Sequence, residues 1–175
     1  MIKKLRKTLI RELSKETGCL IVQTDNNFKK PKYPYYSYKF TTFRQNVGEG
    51  GVYKEGFDKS TNPDFKYDVV TTLEFQPKVI MSFNCYSNDD FQAEDYILKA
   101  WEWFKLKGRR ILSDENIVVV EVGDITDRTV FLVDNYEYRK GFDVEFRVLH
   151  NFSDRSETIE TYKIDGKIEG GRKWF

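Results

Sequence analysis

Between Gly141 and Val148 the chain alternates without a break: Phe142, Val144, Phe146 and Val148 are apolar, while Asp143, Glu145 and Arg147 are charged. Successive side chains of a strand point to opposite faces, so this pattern describes a strand with one dry face and one wet face. Such a strand needs neighbours for its backbone and a cover for its dry face, which commits the chain to a sheet layered on one side. Residues 69–85 repeat the pattern, with Val69, Leu73, Phe75, Val79, Met81, Phe83 and Cys85 set against Thr72, Glu74, Gln76, Lys78, Ser82 and Asn84. Pro77 cannot donate to a ladder, so this segment is either one long bent edge strand or two strands meeting at a bulge.

The cover is legible as two helices. In residues 2–17, Ile2, Leu5, Leu9, Ile10 and Leu13 fall at helical spacing, and Gly18 stands where a left-handed C-terminal cap belongs. The outer face of this helix is basic, with Lys3, Lys4, Arg6, Lys7 and Arg11; it serves as a solvated face or meets an acidic neighbour. Ser87-Asn88-Asp89-Asp90 then supplies N-cap chemistry for a second helix, whose stripe Ala93, Ile97, Ala100 and Phe104 is flanked by Tyr96, Trp101 and Trp103. Lys105, Lys107 and Gly108 are expected to close it.

Further strands are expected at residues 20–24, at Tyr33-Pro34-Tyr35-Tyr36-Ser37-Tyr38-Lys39-Phe40 with Pro34 at its start, and at Ile117-Val118-Val119-Val120-Glu121-Val122, whose β-branched run suits a central strand. Val130-Phe131-Leu132-Val133 is expected beside the last of these. Residues 44–66 are polar and contain Gly48, Gly50, Gly51 and Gly56, which suits an extended arm or hairpin; no phosphate-cradling Gly-Lys-Ser/Thr follows. Asp165-Gly166 marks a C-terminal hairpin within residues 157–175, and Gly170-Gly171 frees the end Arg172-Lys173-Trp174-Phe175. The expected fold class is α+β: a mixed, mostly antiparallel sheet with helices on one face, a long arm and a C-terminal hairpin, in one domain spanning residues 1–175.

Composition narrows the function. The 29 basic and 28 acidic residues leave a net charge of +1, which removes any global attraction to nucleic acid or membrane. No apolar run suits a secretory signal or a membrane span, so the protein is expected to be cytosolic when made. Cys19, Cys85 and the single His150 have no zinc-ligand spacing and no nucleophile context, so no catalytic, cofactor or metal residue is assigned. Asp143 and Glu145 share a strand face at a spacing a metal could use, but with Arg147 beside them they read as a charge ladder. The aromatic content of 16% points instead to contact surfaces. Tyr136, Glu137, Tyr138, Arg139 and Lys140, just ahead of the alternating strand, are candidate subunit contacts, since Tyr and Arg are enriched at interfaces. Trp174 and Phe175 are candidates because two large rings after Gly-Gly are costly to leave in water.

The order of these pieces resembles the tail terminator and neck terminator proteins of long-tailed phages and of related contractile tail-like bacteriocins. The resemblance is carried by Tyr33-Pro34-Tyr35-Tyr36-Ser37-Tyr38, by Met81-Ser82-Phe83 leading to a helix with Ala93, Ala100, Trp103 and Phe104 that ends at Gly108, by residues 116–122, and above all by Tyr136-Glu137-Tyr138-Arg139-Lys140-Gly141-Phe142-Asp143-Val144. It implies a hexameric ring of identical subunits on the last ring of tail tube protein, joining the tail to head–tail connector or neck proteins. In a contractile particle the ring also touches the sheath protein, and DNA passes through it without specific binding. A head-completion protein is the nearest alternative, and a nucleic-acid-processing enzyme a more distant one, disfavoured by the lack of a basic surplus.

Overall fold

The computed structural model describes residues 2–27, 29–48 and 50–158. In chain order the elements are α1 (Ile2–Thr17), β1 (Leu20–Gln23), β2 (Tyr35–Gln45), β3 (Val52–Lys59), β4 (Tyr67–Phe75), β5 (Lys78–Ser87), α2 (Asp90–Lys105), α3 (Lys107–Ser113), β6 (Ile117–Val122), β7 (Thr126–Asp127), β8 (Val130–Phe131), β9 (Tyr136–Val148) and β10 (His150–Glu157). Among the described residues they fall into two compact units, one drawn from Met1–Gly51 and Glu74–His150 and the other from Val52–Leu73 and residues 151–158.

The first unit is built on a sheet in the order β1-β2-β5-β9-β6, with β7 and β8 also paired to β9. β1 runs parallel to β2, and the other pairs are antiparallel. The fold is therefore α+β with a mixed, mostly antiparallel sheet, as the alternation requires. Register places Phe83 opposite Phe142 and Met81 opposite Val144, so the apolar halves of β5 and β9 share one face. The helices cover that face: Leu5, Leu9 and Leu13 of α1, Ile97, Ala100 and Phe104 of α2, and Leu112 of α3 join Tyr36, Phe83, Phe142 and Phe146 in one core. α1 ends as its sequence dictates, with Gly18 at a φ of 70° donating its N–H to the Ser14 carbonyl. α2 begins with the Asp89 carboxylate accepting from the N–H of Gln92 at 2.8 Å.

Three expectations need correction. Helix α2 does not close at Gly108, because a third helix begins at Lys107 and Gly108 lies inside it. Its glycine is required by packing: a Cβ there would lie 2.6 Å from the Trp103 ring. β6 is an edge strand and not a central one, with Val118 and Val120 exposed on the uncovered face. Residues 130–133 adjoin β9 rather than β6, since β9 is long enough to pair with β6, β7 and β8 in succession. Pro77 separates β4 from β5, which resolves the bent-or-broken alternative in favour of two strands.

The second unit is a three-stranded sheet in the order β10-β4-β3. The segment read as an arm, residues 44–66, contains the end of β2, all of β3 and the turn into β4. β3 is exposed along its whole length, and Tyr53, Phe57, Tyr67 and Phe152 project from this unit. Its ties are polar: Thr72 to Ser153 at 2.7 Å, Asn62 to Glu157 at 3.0 Å, and Arg155 to Asp58 at 2.9 Å. The expected Asp165-Gly166 hairpin lies outside the described residues.

Candidate assembly surface

The contact candidates Tyr136, Glu137, Tyr138, Arg139 and Lys140 are the first five residues of β9, so they are part of the strand and not a lead-in to it. Pairing of Val130 with Glu137 and of Phe131 with Tyr136 makes this end of β9 one arm of a hairpin, closed by the Leu132 N–H on the Asn135 carbonyl at 2.8 Å. The hairpin carries an apolar ridge in solvent: Val133 is 92% exposed, Phe131 64% and Tyr136 59%. The rings of Phe131 and Tyr136 stand 4.9 Å apart, and Tyr136 continues to Tyr138 at 6.3 Å. Exposed apolar surface of this kind makes the hairpin the candidate assembly surface.

Glu137 and Lys140 brace the hairpin from behind. Both are buried, and each is satisfied within the chain. Glu137 accepts from the Tyr33 hydroxyl at 2.9 Å and pairs with Lys30 at 2.7 Å and Arg139 at 3.5 Å. Burial works against the charge on Lys30, but its hydrogen bonds to Glu137 and Tyr33 outweigh it and raise the lysine's pKa. Arg139 also lies 4.6 Å over the Tyr86 ring. On the helix side, Lys140 reaches Asp90 at 2.9 Å, Asp127 at 3.0 Å and Glu94 at 3.7 Å. Of the five candidates, then, Tyr136 projects into solvent and Tyr138 is half-buried, while Glu137, Arg139 and Lys140 are tied to neighbouring side chains of the same chain. Trp174 and Phe175 lie outside the described residues.

The Lys140 cluster has a definite pH dependence. Burial opposes the Lys140 charge, but its hydrogen bonds to Asp90 and Asp127 raise its pKa above the ordinary 10.5. Asp127 is held down at about 2, first by hydrogen bonds from Thr129 and then by Lys140. A raised lysine stabilises the fold below 10.5 and loses that contribution as pH climbs through the folded value; a depressed carboxylate stabilises it above 3.8 and loses it as pH falls through about 2. The melting-temperature difference between the native protein and Lys140→Met is therefore expected to be flat from about pH 4 to pH 10 and to shrink beyond both limits. A difference that changes near neutrality would disconnect it from these groups.

The uncovered face of the sheet holds a feature that sequence reasoning missed. Arg128, from the turn between β7 and β8, folds back over Gly141 and donates to Ser82 at 2.7 Å, Asn84 at 2.9 Å and Asp143 at 3.1 Å. A glycine inside a strand was the available signal, since it marks a close approach. Asp143 thus serves Arg128, and Glu145 serves Lys78 at 2.6 Å, so the two acids of the charge ladder have separate cationic partners. Cys85 and Cys19 are buried core thiols, with Cys85 pushed by burial up to about 12, far from the thiolate a nucleophile needs. No described helix is long and apolar enough to cross a membrane.

Comparison with known proteins agrees with the resemblance read from the strand and helix order. No curated protein matches the chain. The family model of the phage neck terminator protein matches residues 4–172, nearly its whole length. A structural protein of the phage tail and neck accords with a chain that exposes an aromatic hairpin, and this chain belongs to the phage neck terminator family.

Proposed function

We propose that the protein forms a ring, hexameric in the reading its resemblance implies, which caps the tail tube, stops its polymerisation and joins the tail to the neck. It acts by binding alone, with no catalytic step. Tube rings stack through a heterologous interface that does not close on itself, so growth stops only when a last ring offers one matching face and one that cannot propagate. The observation that supports this most is the hairpin ridge of Phe131, Val133 and Tyr136, exposed on a strand whose buried Glu137 and Lys140 are ion-paired within the chain. An apolar ridge tied down in this way would bind with a smaller ordering cost than a free loop. Its partners are further copies of itself, the tube protein, connector or neck proteins and, in a contractile particle, the sheath; DNA passes through without specific binding. Assembly takes place in the host cytoplasm, and the ring ends at the neck end of the tail.

The test is a deletion strain viewed by electron microscopy. Tails of uncontrolled length, or tails that cannot join heads, are expected, with rescue by the native gene and not by one carrying Phe131→Ser and Val133→Ser. Normal-length tails beside heads that leak DNA would move the protein to head completion.

A further inference from the structure

On α1, Lys3, Lys7, Arg11 and Lys15 follow one another at four-residue spacing, and all four are exposed. Rows at this spacing are the ridges through which helices pack on each other. The helix has no acid in its first turn, so Lys3 and Lys4 stand at the end where the helix dipole disfavours cations. Arg11 is partly answered by Glu12 at 2.6 Å.

α2 has the opposite surface. Glu94, Leu98 and Glu102 form a ridge of the same spacing, with Phe91 and Asp95 beside it, and Phe91 is 80% exposed. Lys99 is turned onto the Tyr96 ring at 4.9 Å. Next to the ridge is a pocket of about 360 Å³ with Ile97, Leu98 and Ile125 in its wall and Glu94 and Asp127 at its polar side. The Lys140 ammonium there is shared among Asp90, Glu94 and Asp127, so the patch stays acidic.

Within one subunit, therefore, α1 presents a basic row and α2 a mainly acidic one, and both rows face solvent. Each row matches the other in spacing and opposes it in sign. We propose that α1 of one copy seats on the exposed face of α2 of the next, which rests on the ring reading above and names its subunit contact. Lysine stems would lie on Phe91 and Leu98 while their ammonium groups reach Asp95 and Glu102. Because the two surfaces differ, the contact is heterologous, the type of contact that repeats around a ring when its rotation closes. A nucleic acid would use the basic row and leave the acidic, apolar α2 face without a role.

The test uses two charge-reversed full-length proteins, Lys3→Glu with Lys7→Glu and Asp95→Lys with Glu102→Lys, each checked for native circular dichroism. Ring formation is measured by sedimentation velocity and by decoration of isolated tubes. Each variant alone places like charges together and is expected to raise the subunit dissociation constant about 100-fold. Mixing the two, or combining all four changes in one chain, restores opposite charges at every contact and is expected to return affinity to within about tenfold of native. High salt should weaken the native ring in the same assay. Native rings whose stability neither variant alters, or a basic-row variant that loses only DNA binding, would overturn this contact and leave the ring reading standing. A native protein that forms no ring in solution or on tubes would overturn both.

Discussion

Phe104→Ala is expected to cost the first unit about 3–5 kcal/mol, the range for emptying a fully buried phenylalanine site. Phe104 is 0% exposed and joins both layers of the core: its ring lies 5.7 Å from Phe83, 5.8 Å from Phe142 and 6.2 Å from Phe146 on the sheet, and 5.0 Å from Trp103 on its own helix. Three of these contacts are edge-to-face with strand residues, so alanine removes ring pairing as well as apolar area. The surrounding side chains belong to a sheet and two further helices and cannot collapse together into the void, which places the cost toward the top of the range. Since domains are stable by only about 5–15 kcal/mol, the variant should unfold at markedly lower urea and accumulate poorly in cells. Urea unfolding followed by tryptophan fluorescence measures it, because Trp101 and Trp103 flank the site. A loss below about 1 kcal/mol would mean that the helix layer is not anchored here.

The centre of this fold was legible because it obeys period rules with little interference. The bounds of α1 follow from its leucine spacing and Gly18, and the dry faces of β5 and β9 follow from alternation alone. Where reading failed, tertiary context overrode a local signal. The β-branched run of β6 resembles a central strand, yet β6 terminates the sheet, and Val118 and Val120 are exposed because no helix covers their face. Lys107 and Gly108 look like a helix stop, but that glycine exists for the Trp103 ring. β10, with His150 at its start and exposed polar residues beyond, lacks an apolar alternation to announce it, and its ties to β4 are long-range hydrogen bonds that no local window contains. At the assembly surface the composition of residues 136–140 was informative but their roles were not. Sequence shows two tyrosines among three charges; only pairing with Lys30, Tyr33, Asp90 and Asp127 separates the side chains that brace from those that project.

Gly141→Ala is expected to destabilise the protein by about 2–4 kcal/mol, although it adds one methyl group to a strand. Gly141 is absent from the glycines with positive φ, so the penalty concerns space and not backbone torsion. A Cβ there would lie 2.3 Å from the Asn84 Oδ1, 2.8 Å from the Phe83 carbonyl oxygen and 2.9 Å from an Arg128 guanidinium nitrogen. The Phe83 oxygen belongs to the β5 backbone in the middle of the sheet and cannot retreat. Moving Asn84 and Arg128 aside strains the 2.9 Å hydrogen bond between them, and losing it would leave a charged, partly buried donor less well satisfied. Arg128 also ties the turn between β7 and β8 to Ser82 and Asp143, and that turn leads directly into the aromatic hairpin. The same methyl group should therefore loosen the hairpin and weaken assembly beyond its effect on stability. A double-mutant cycle separates the two costs: with Arg128→Ala already present, Gly141→Ala should lose the part due to the clasp and keep the part due to Phe83. Urea midpoints within about 0.5 kcal/mol of native for Gly141→Ala alone would show that the clasp has room to spare and that the strand needs no glycine there.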